Sequence, residues 1–154
     1  MREILFRGKG NRYGRWVEGF YTPISTGHGM KDAIITGTDR NCSIPTLVVP
    51  ETIGQYTGLT DKNGKKIFEG DIIKAHFRPQ NFKNSPYAIG SVVFENGTFK
   101  VVVHVSKNSI EYKVFEKEDI IAYSIEHNFL GRGYVLEVIG NNHDNPELLK
   151  GEGE

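Results

Sequence analysis

The sequence has little cysteine and no long apolar segment, and each absence excludes a class of protein. Cys42 is the only cysteine among 154 residues, so no intrachain disulfide can form, which favours a reducing compartment such as the cytosol. The N-terminus lacks an apolar signal region, and no apolar run approaches the ~20 residues that span a bilayer. We therefore expect a cytoplasmic protein with no membrane partner.

The chain also lacks net charge, because 19 basic residues balance 19 acidic ones. The balance is uneven along the chain: the net charge is +6 over residues 1–110 and −6 over residues 111–154. This asymmetry indicates either a basic surface for an anionic partner or a chain that neutralises itself within or between subunits. No basic run exceeds two residues, and this favours the second explanation.

Recognisable catalytic and metal-binding patterns are absent as well. The five histidines are His28, His76, His104, His127 and His143. None lies within five residues of another, so the compact spacings typical of zinc sites are missing. Cys42 has no adjacent base, and there is no phosphate loop, dinucleotide fingerprint or nucleophile elbow. We predict no catalytic residues, no cofactor, no metal and no small-molecule substrate; a hydrolase with a site between two lobes is a minor alternative.

Two Asn-Gly pairs are the strongest structural signals present. A type I′ turn needs positive φ at both central residues, and Asn96 followed by Gly97 between β-rich runs is typical of one. The register that follows pairs Glu95 with Thr98, Phe94 with Phe99, Val93 with Lys100 and Val92 with Val101. Because side chains alternate across a strand, Val92, Phe94, Phe99 and Val101 should share a buried face.

The second Asn-Gly pair, at residues 63 and 64, predicts a similar hairpin with Asp61 opposite Lys66 and Lys62 opposite Lys65. A turn at residues 69–71 follows, in which Asp71 is expected to accept hydrogen bonds from turn amides. The apolar strand at 72–77 comes next. A turn, a strand, a loop at 78–88 and a hairpin in this order indicate an SH3-like small β-barrel over residues 51–154.

The remaining segments complete a mainly β prediction. Residues 1–50 should form an N-terminal lobe built on a hairpin of strands 2–7 and 15–21, followed by a loop at 25–46 with a short strand at 33–36, and a short strand at 47–49. Beyond the barrel hairpin, residues 110–114 should pair with 103–105. Residues 116–130 have an acidic start and apolar residues at helical spacing, and this pattern predicts a helix. A closing strand at 134–140 precedes a short helix capped by Asn145.

Several blocks of this sequence resemble one family. They are MREILFR at 1–7, GQYTGL at 54–59, DKNGKKI at 61–67, EGDII at 69–73, EVIGN at 137–141 and NPELL at 145–149. In this order they are similar to the YopX family of small bacteriophage and prophage proteins. The resemblance implies an SH3-type barrel, a phage or prophage origin, a bacterial host cytoplasm and self-association. It brings no activity and no catalytic residues.

Basic residues provide the one candidate binding surface. They are Arg7, Lys9, Arg12 and Arg15 in the N-terminal hairpin and Lys62, Lys65 and Lys66 at the second Asn-Gly turn. Interleaved with Tyr13, Trp16 and Tyr21, the first group could hold phosphates and stack bases. We favour the simpler interpretation, in which the aromatics are core and the cations face solvent. The expected function is thus a non-enzymatic homo-oligomeric binding or structural accessory module; the alternative is a nucleic-acid-binding regulator.

Overall fold

A computed structural model describes residues 3–36, 45–77, 87–107, 122–124 and 134–150. The chain forms two compact units, Met1–Gly58 (unit 1) and Leu59–Glu154 (unit 2). Within the described ranges, no helix is both long enough and apolar enough to cross a membrane.

Eleven strands make up almost all of the regular structure in these ranges. They are β1 Phe6–Lys9, β2 Trp16–Thr26, β3 Gly29–Ile35, β4 Thr46–Leu47, β5 Gly54–Thr60, β6 Lys66–Phe68, β7 Asp71–Phe77, β8 Tyr87–Glu95, β9 Thr98–Lys107, β10 Ala122–Ser124 and β11 Tyr134–Asn141. Single turns of 3-10 helix occur at Pro50–Thr52 and Pro146–Leu149. The strands form two antiparallel sheets, so the prediction of a mainly β protein is confirmed.

Unit 1 arranges its strands in the order β4-β3-β2-β1-β5. The predicted N-terminal hairpin is present, with Phe6 opposite Gly19 and Lys9 opposite Trp16. Gly8 is needed at the centre of β1, because a Cβ there would lie 3.1 Å from the Cβ of Val48. The buried side chains of this unit include Leu5, Ala33, Ile34 and Val48.

The segment predicted as a loop from residue 25 is instead a long hairpin as far as residue 35. Strand β2 runs on to Thr26 and pairs with β3, from Thr26 opposite Gly29 to Phe20 opposite Ile35. The Thr26 hydroxyl donates to the carbonyl of Gly29 and so closes the tip. The sequence did not predict this hairpin because it is polar and partly exposed on both faces, so apolar and polar residues alternate only weakly along its strands. Residues 37–44, which include Cys42, lie outside the described residues.

Unit 2 is built on the sheet β10-β9-β8-β7-β11. Its core is one cluster of buried side chains from β6 to β9 and β11: Ile67, Ile73, Ala75, Val92, Phe99, Val101 and Leu136. Strand β5 crosses from unit 1 into unit 2, where its last residues lead through a turn into β6.

The five-stranded order is that of an open sheet, with β10 and β11 at its two edges. No closed barrel is formed by the described residues, so the SH3-like barrel is not confirmed. Most of the predicted helix at 116–130 lies outside the described residues, but Ala122–Ser124 form a strand on β9, so the prediction is wrong there. The predicted strand at 110–114 lies outside them too. A single 3-10 turn stands where a short terminal helix was expected.

The hairpin at Asn96 and Gly97 has the predicted register in every pair from Val92 with Val101 to Glu95 with Thr98. Asn96 has φ 52° and Gly97 φ 78°, as a type I′ turn requires. The predicted buried face holds at three of its four positions. Phe94 is 47% exposed because it lies next to the turn, beyond the core, where its ring packs on the ring of Phe99.

We expect Gly97→Val to destabilise unit 2 by roughly 1–3 kcal/mol, because a β-branched residue is strained at positive φ. Open space surrounds the position, so the loss would report backbone strain alone. The free energy of unfolding measured in urea gives the value. Thr98→Val is the matched control, since Thr98 lies in extended backbone and should tolerate valine; an equal loss in both variants would refute the strain explanation.

The second Asn-Gly turn differs from the prediction by one residue. The N–H of Gly64 donates to the carbonyl of Asp61, and the N–H of Asp61 donates to the carbonyl of Lys65. Asp61 is therefore opposite Lys65 rather than Lys66, and only Gly64 has positive φ. The reason is the Asp61 side chain, whose Oδ1 accepts from the N–H groups of Asn63 at 2.8 Å and Lys65 at 2.9 Å. This Asx turn selects a three-residue loop over the type I′ turn.

The turn before β7 was anticipated correctly. Asp71 is buried, and its Oδ2 accepts a hydrogen bond from the N–H of Phe68 at 2.8 Å. Gly70, with φ 80°, donates its N–H to Val92 and accepts from the N–H of Asn142. These bonds attach the turn to both β8 and the end of β11.

Candidate functional site

The largest group of interacting ionisable side chains in the described part of unit 2 lies on the sheet face opposite the core. We call it the Tyr87 cluster; its members are Lys62, Lys74, His76, Tyr87 and Glu137. Register brings them together, since His76 is opposite Tyr87 in β8 while Lys74 is opposite Glu137 in β11. Lys62 comes from the turn before β6.

Strand alternation explains why polar groups collect here. Ile73 and Ala75 point into the core of unit 2, so Lys74 and His76 between them must point to the other face. In β11, Leu136 likewise faces the core and leaves Glu137 on the opposite side. The cluster is thus a direct product of the pattern that builds the core.

Two sets of contacts connect the cluster. The Lys62 ammonium lies 2.7 Å from Glu137 Oε2, and His76 Nε2 lies 3.7 Å from the same oxygen. The Lys74 ammonium lies 4.0 Å from the centre of the Tyr87 ring, a cation–π distance. The His76 and Tyr87 ring centres are 6.2 Å apart. All of the ion-paired groups are partly exposed, so solvent reaches them.

The electrostatics of the cluster favour a neutral imidazole next to an ionised carboxylate. Desolvation lowers the pKa of His76, and the charges of Lys74 and Lys62 lower it further, against the opposing effect of Glu137. The hydrogen bond from Lys62 lowers the pKa of Glu137, outweighing its desolvation. At neutral pH the cluster therefore carries two ammonium groups, one carboxylate and a neutral imidazole, a net charge of +1.

A second histidine contact on the same sheet has the appearance of a nucleophile and its base. Ser91 Oγ and His104 Nε2 are 3.1 Å apart. Ser91 is only 5% exposed, so its hydroxyl cannot meet a substrate from solution. Desolvation lowers the pKa of His104. We interpret the pair as a structural hydrogen bond between β8 and β9. Among the described residues, no group of three or more histidine, cysteine, aspartate or glutamate side chains could hold a metal ion.

The structure divides the predicted basic residues between the units and gives them different surroundings. In unit 1, Arg7 is only 8% exposed and lies 4.9 Å over the Trp16 ring, whereas Arg12 lies over the Tyr13 ring at the surface. Lys9 is half-buried, and Arg15 is exposed.

The expectation of core aromatics and solvated cations is therefore wrong in part. Tyr13 is 73% exposed and Tyr21 is also at the surface, while Arg7 is buried. The physical reason is that the guanidinium of Arg7 lies 4.9 Å from the centre of the Trp16 ring, and this cation–π contact favours the burial of a charged side chain.

Among the three lysines of the second Asn-Gly turn, only Lys62 belongs to the Tyr87 cluster. Lys65 is exposed and Lys66 is half-buried. The other four members were missed by sequence analysis. The alternation of Lys74 and His76 within an apolar strand was a readable signal for two of them. Tyr87 and Glu137 had no local signal, because only the pairing of β7 with β8 and β11 brings them close.

Two open antiparallel sheets with very little helix define the class of this molecule as a small mainly β protein. A family model described as YopX protein matches residues 5–150, and the chain belongs to this family. A crystal structure of protein EF1440 from Enterococcus faecalis is similar in fold, with a TM-score of 0.50 and 24% sequence identity. The match covers 97% of this chain and 100% of that one. No curated protein matches the sequence.

Proposed function

We propose that this YopX family member is a phage- or prophage-encoded, non-enzymatic accessory protein of the host cytoplasm that acts as a homo-oligomer. The observation that carries self-association is an apolar surface on unit 1. Its side chains are Ile4, Phe6, Tyr21 and Met30, and we call it the Phe6 patch. Isolated apolar side chains on a surface are ordinary, but a group of them on adjoining strands indicates an interaction site.

Strand register places Phe6, Tyr21 and Met30 on one face of the sheet, and Ile4 lies just before β1. Phe6 and Tyr21 stack with ring centres 5.7 Å apart, and the Tyr21 hydroxyl donates to Asp32 at 2.6 Å, which holds the ring in position. Met30 precedes Asp32 by two residues in β3 and is 63% exposed. Ile4 precedes Phe6 by two residues and is 58% exposed. A preorganised apolar surface of this kind loses little side-chain freedom when it is covered.

The β2–β3 hairpin favours side-chain contact over strand addition. Strand β1 pairs with β2 only as far as Gly19, so the described residues leave the rest of β2 without a neighbour on that side. Pro23 lies in this stretch and has no N–H to offer an incoming strand. The ribbon from Thr22 to Asp32 also has no net charge, because Lys31 and Asp32 cancel. A ribbon without net charge beside the Phe6 patch fits a second copy of this chain better than a polyanion.

Sedimentation equilibrium tests the proposal. We expect the wild-type protein to self-associate and Met30→Asp to weaken association at least tenfold. A carboxylate covered by apolar contacts costs well over the ~1.4 kcal/mol that corresponds to a factor of ten. Tyr13→Ser is the control, since Tyr13 is also largely exposed in unit 1, at 73% against 63% for Met30, but lies outside the Phe6 patch. A wild-type monomer at micromolar concentration would contradict self-association; equal effects of both substitutions would place the interface elsewhere.

Nucleic-acid binding through the basic residues is the alternative function. Arg12 and Arg15 in unit 1 and Lys62 and Lys65 in unit 2 are exposed for phosphate contact, although Lys62 is ion-paired with Glu137. Affinity for DNA would fall steeply with salt, because phosphate contacts release counterions. Association through the Phe6 patch would persist in high salt, since apolar burial is not screened. Repeating the sedimentation with DNA at two salt concentrations separates the two functions.

A further inference from the structure

We propose that the Tyr87 cluster binds a phosphate group through Lys74. Lys62, which is ion-paired with Glu137 in the free protein, is the second cation that would contact the phosphate. This site lies in unit 2 and is independent of the self-association proposed above. The shared chemistry is a tetrahedral oxyanion, carried either by a small phosphate ester or by the backbone of a single-stranded nucleic acid.

The arrangement of charges selects an anion over a cation. Lys74 lies above the face of the Tyr87 ring, and an ammonium has three N–H donors, of which those turned away from the ring can bind an anion. Lys62 and the imidazole of His76 converge on the same Glu137 oxygen, so two potential donors meet at one carboxylate. A bound phosphate beside this carboxylate would be held by Lys74. It would also compete with Glu137 for Lys62 and His76.

Competition between Glu137 and the bound anion predicts an unusual effect of mutation on the affinity for the anion. The carboxylate repels an incoming anion and also occupies Lys62, so its removal should strengthen binding. Most ion pairs behave in the opposite way when one partner is removed, because the remaining charge loses its favourable contact. An increase in affinity on Glu137→Gln therefore distinguishes an anion site from a purely structural ion pair.

His76 reports occupancy directly. An anion close to the imidazole favours its charged form and raises its pKa, against the lysines that hold the pKa low in the free protein. The charged groups facing His76 are Lys74 on its own strand, Lys62 on the turn and Glu137 on β11. His104 and His143 lie outside the cluster and serve as internal references.

The experiment is an NMR titration of the histidine ring protons with sodium sulfate as the probe. Sulfate stays a dianion from mildly acid to neutral pH, so any pH dependence belongs to the protein. We expect sulfate to shift the His76 resonance and raise its pKa while His104 and His143 stay unchanged. Sodium chloride at equal ionic strength is the control, and an identical shift with chloride would overturn the site.

Four variants test the assigned roles. We expect Lys74→Met to weaken sulfate binding about fivefold and Glu137→Gln to strengthen it by a similar factor, as one unit charge near the anion implies. Lys100 and Glu95 form an ion pair of 2.9 Å on the same sheet, and among the described residues no second lysine or histidine is paired with Glu95. Lys100→Met and Glu95→Gln are therefore matched controls and should leave binding unchanged. Weaker binding in Glu137→Gln would overturn the proposal.

Inorganic phosphate and a short oligothymidylate identify the source of the phosphate group. Equal affinities per phosphate would indicate a small ester, whereas tighter binding of the oligonucleotide with the same His76 shift would indicate a strand lying along β7 and β8. Either result supports the site. Oligonucleotide binding that leaves the His76 resonance in place would assign nucleic-acid contact to another surface and refute this one.

Discussion

Replacing Gly90 by alanine is expected to lower the free energy of unfolding of unit 2 by about 3 kcal/mol, at the upper end of the range for overpacked cores. A Cβ on Gly90 would lie 2.4 Å from the carbonyl oxygen of Val102 and 2.6 Å from Cγ1 of Val101. The first of these atoms is backbone and cannot turn aside, so the β8–β9 pairing itself must shift.

Gly90 stands where the register of β8 and β9 changes. It is opposite Val103, while its neighbour Ile89 is opposite Val105, so His104 is an extra residue in β9. Bulges of this kind bend a sheet, and close backbone approach at such positions favours glycine. The glycine is therefore required by the curvature of the sheet over the core.

Urea unfolding followed by circular dichroism would measure this loss. Gly27→Ala is the control, because no atom lies within 4 Å of a Cβ at that position and its backbone does not have positive φ. We expect its stability to change by less than about 0.5 kcal/mol. A Gly90→Ala variant as stable as Gly27→Ala would mean that the two strands are farther apart than described here.

Asp61→Asn is expected to cost about 3 kcal/mol, although it changes a single atom and keeps the shape of the side chain. The carboxylate accepts three backbone N–H groups: those of Asn63 and Lys65 through Oδ1 and that of Val138 through Oδ2. An amide has one acceptor oxygen, so its NH2 group must face a backbone donor at a buried position.

The stability lost in Asp61→Asn should depend on pH in a defined direction. Desolvation raises the pKa of Asp61, but the hydrogen bonds from Val138, Lys65 and Asn63 and the charge of Lys65 outweigh it, so the pKa lies below its usual value. A carboxyl whose folded pKa is lowered contributes stability above its unfolded pKa, about 3.9, and loses it as the pH falls through the folded value.

Wild type and Asp61→Asn should therefore differ most near neutral pH and converge in acid. Unfolding curves at several pH values between neutrality and the acid range test this. Asp144→Asn is the control, because Asp144 is exposed and accepts from the side chain of Asn141. A stability difference for Asp61→Asn that stays constant down to acid pH would show that the carboxylate charge has no part in the turn.

The parts of the fold that were predictable from sequence are those in which one local rule decides. Asn96 and Gly97 carry the positive φ angles of a type I′ turn, and nothing nearby competes, so the predicted register is found. At Asn63 and Gly64 the same rule failed, since the neighbouring Asp61 captures two turn amides. Two equally strong local signals thus gave opposite outcomes because of one side chain.

Other features could not be predicted because they depend on contacts between distant segments. The burial of Arg7 needs the ring of Trp16 on the partner strand. The Tyr87 cluster needs β7 between β8 and β11, and the sequence gives no sign that the last strand joins that edge. Composition correctly indicated sheets, yet it could not state whether they close.

The position of β11 has a consequence for synthesis. Its Leu136 belongs to the core, and its Val138 donates to Asp61, 77 residues earlier in the chain. During synthesis, until β11 has been made, one edge of β7 is unpaired and the core of unit 2 lacks Leu136. The strands of unit 1 have their partners before that point. Folding limited by so distant a contact is slow, and the open edge of β7 is exposed to other chains during that interval. Strand β11 therefore completes the sheet of unit 2 only after the other four strands have been made.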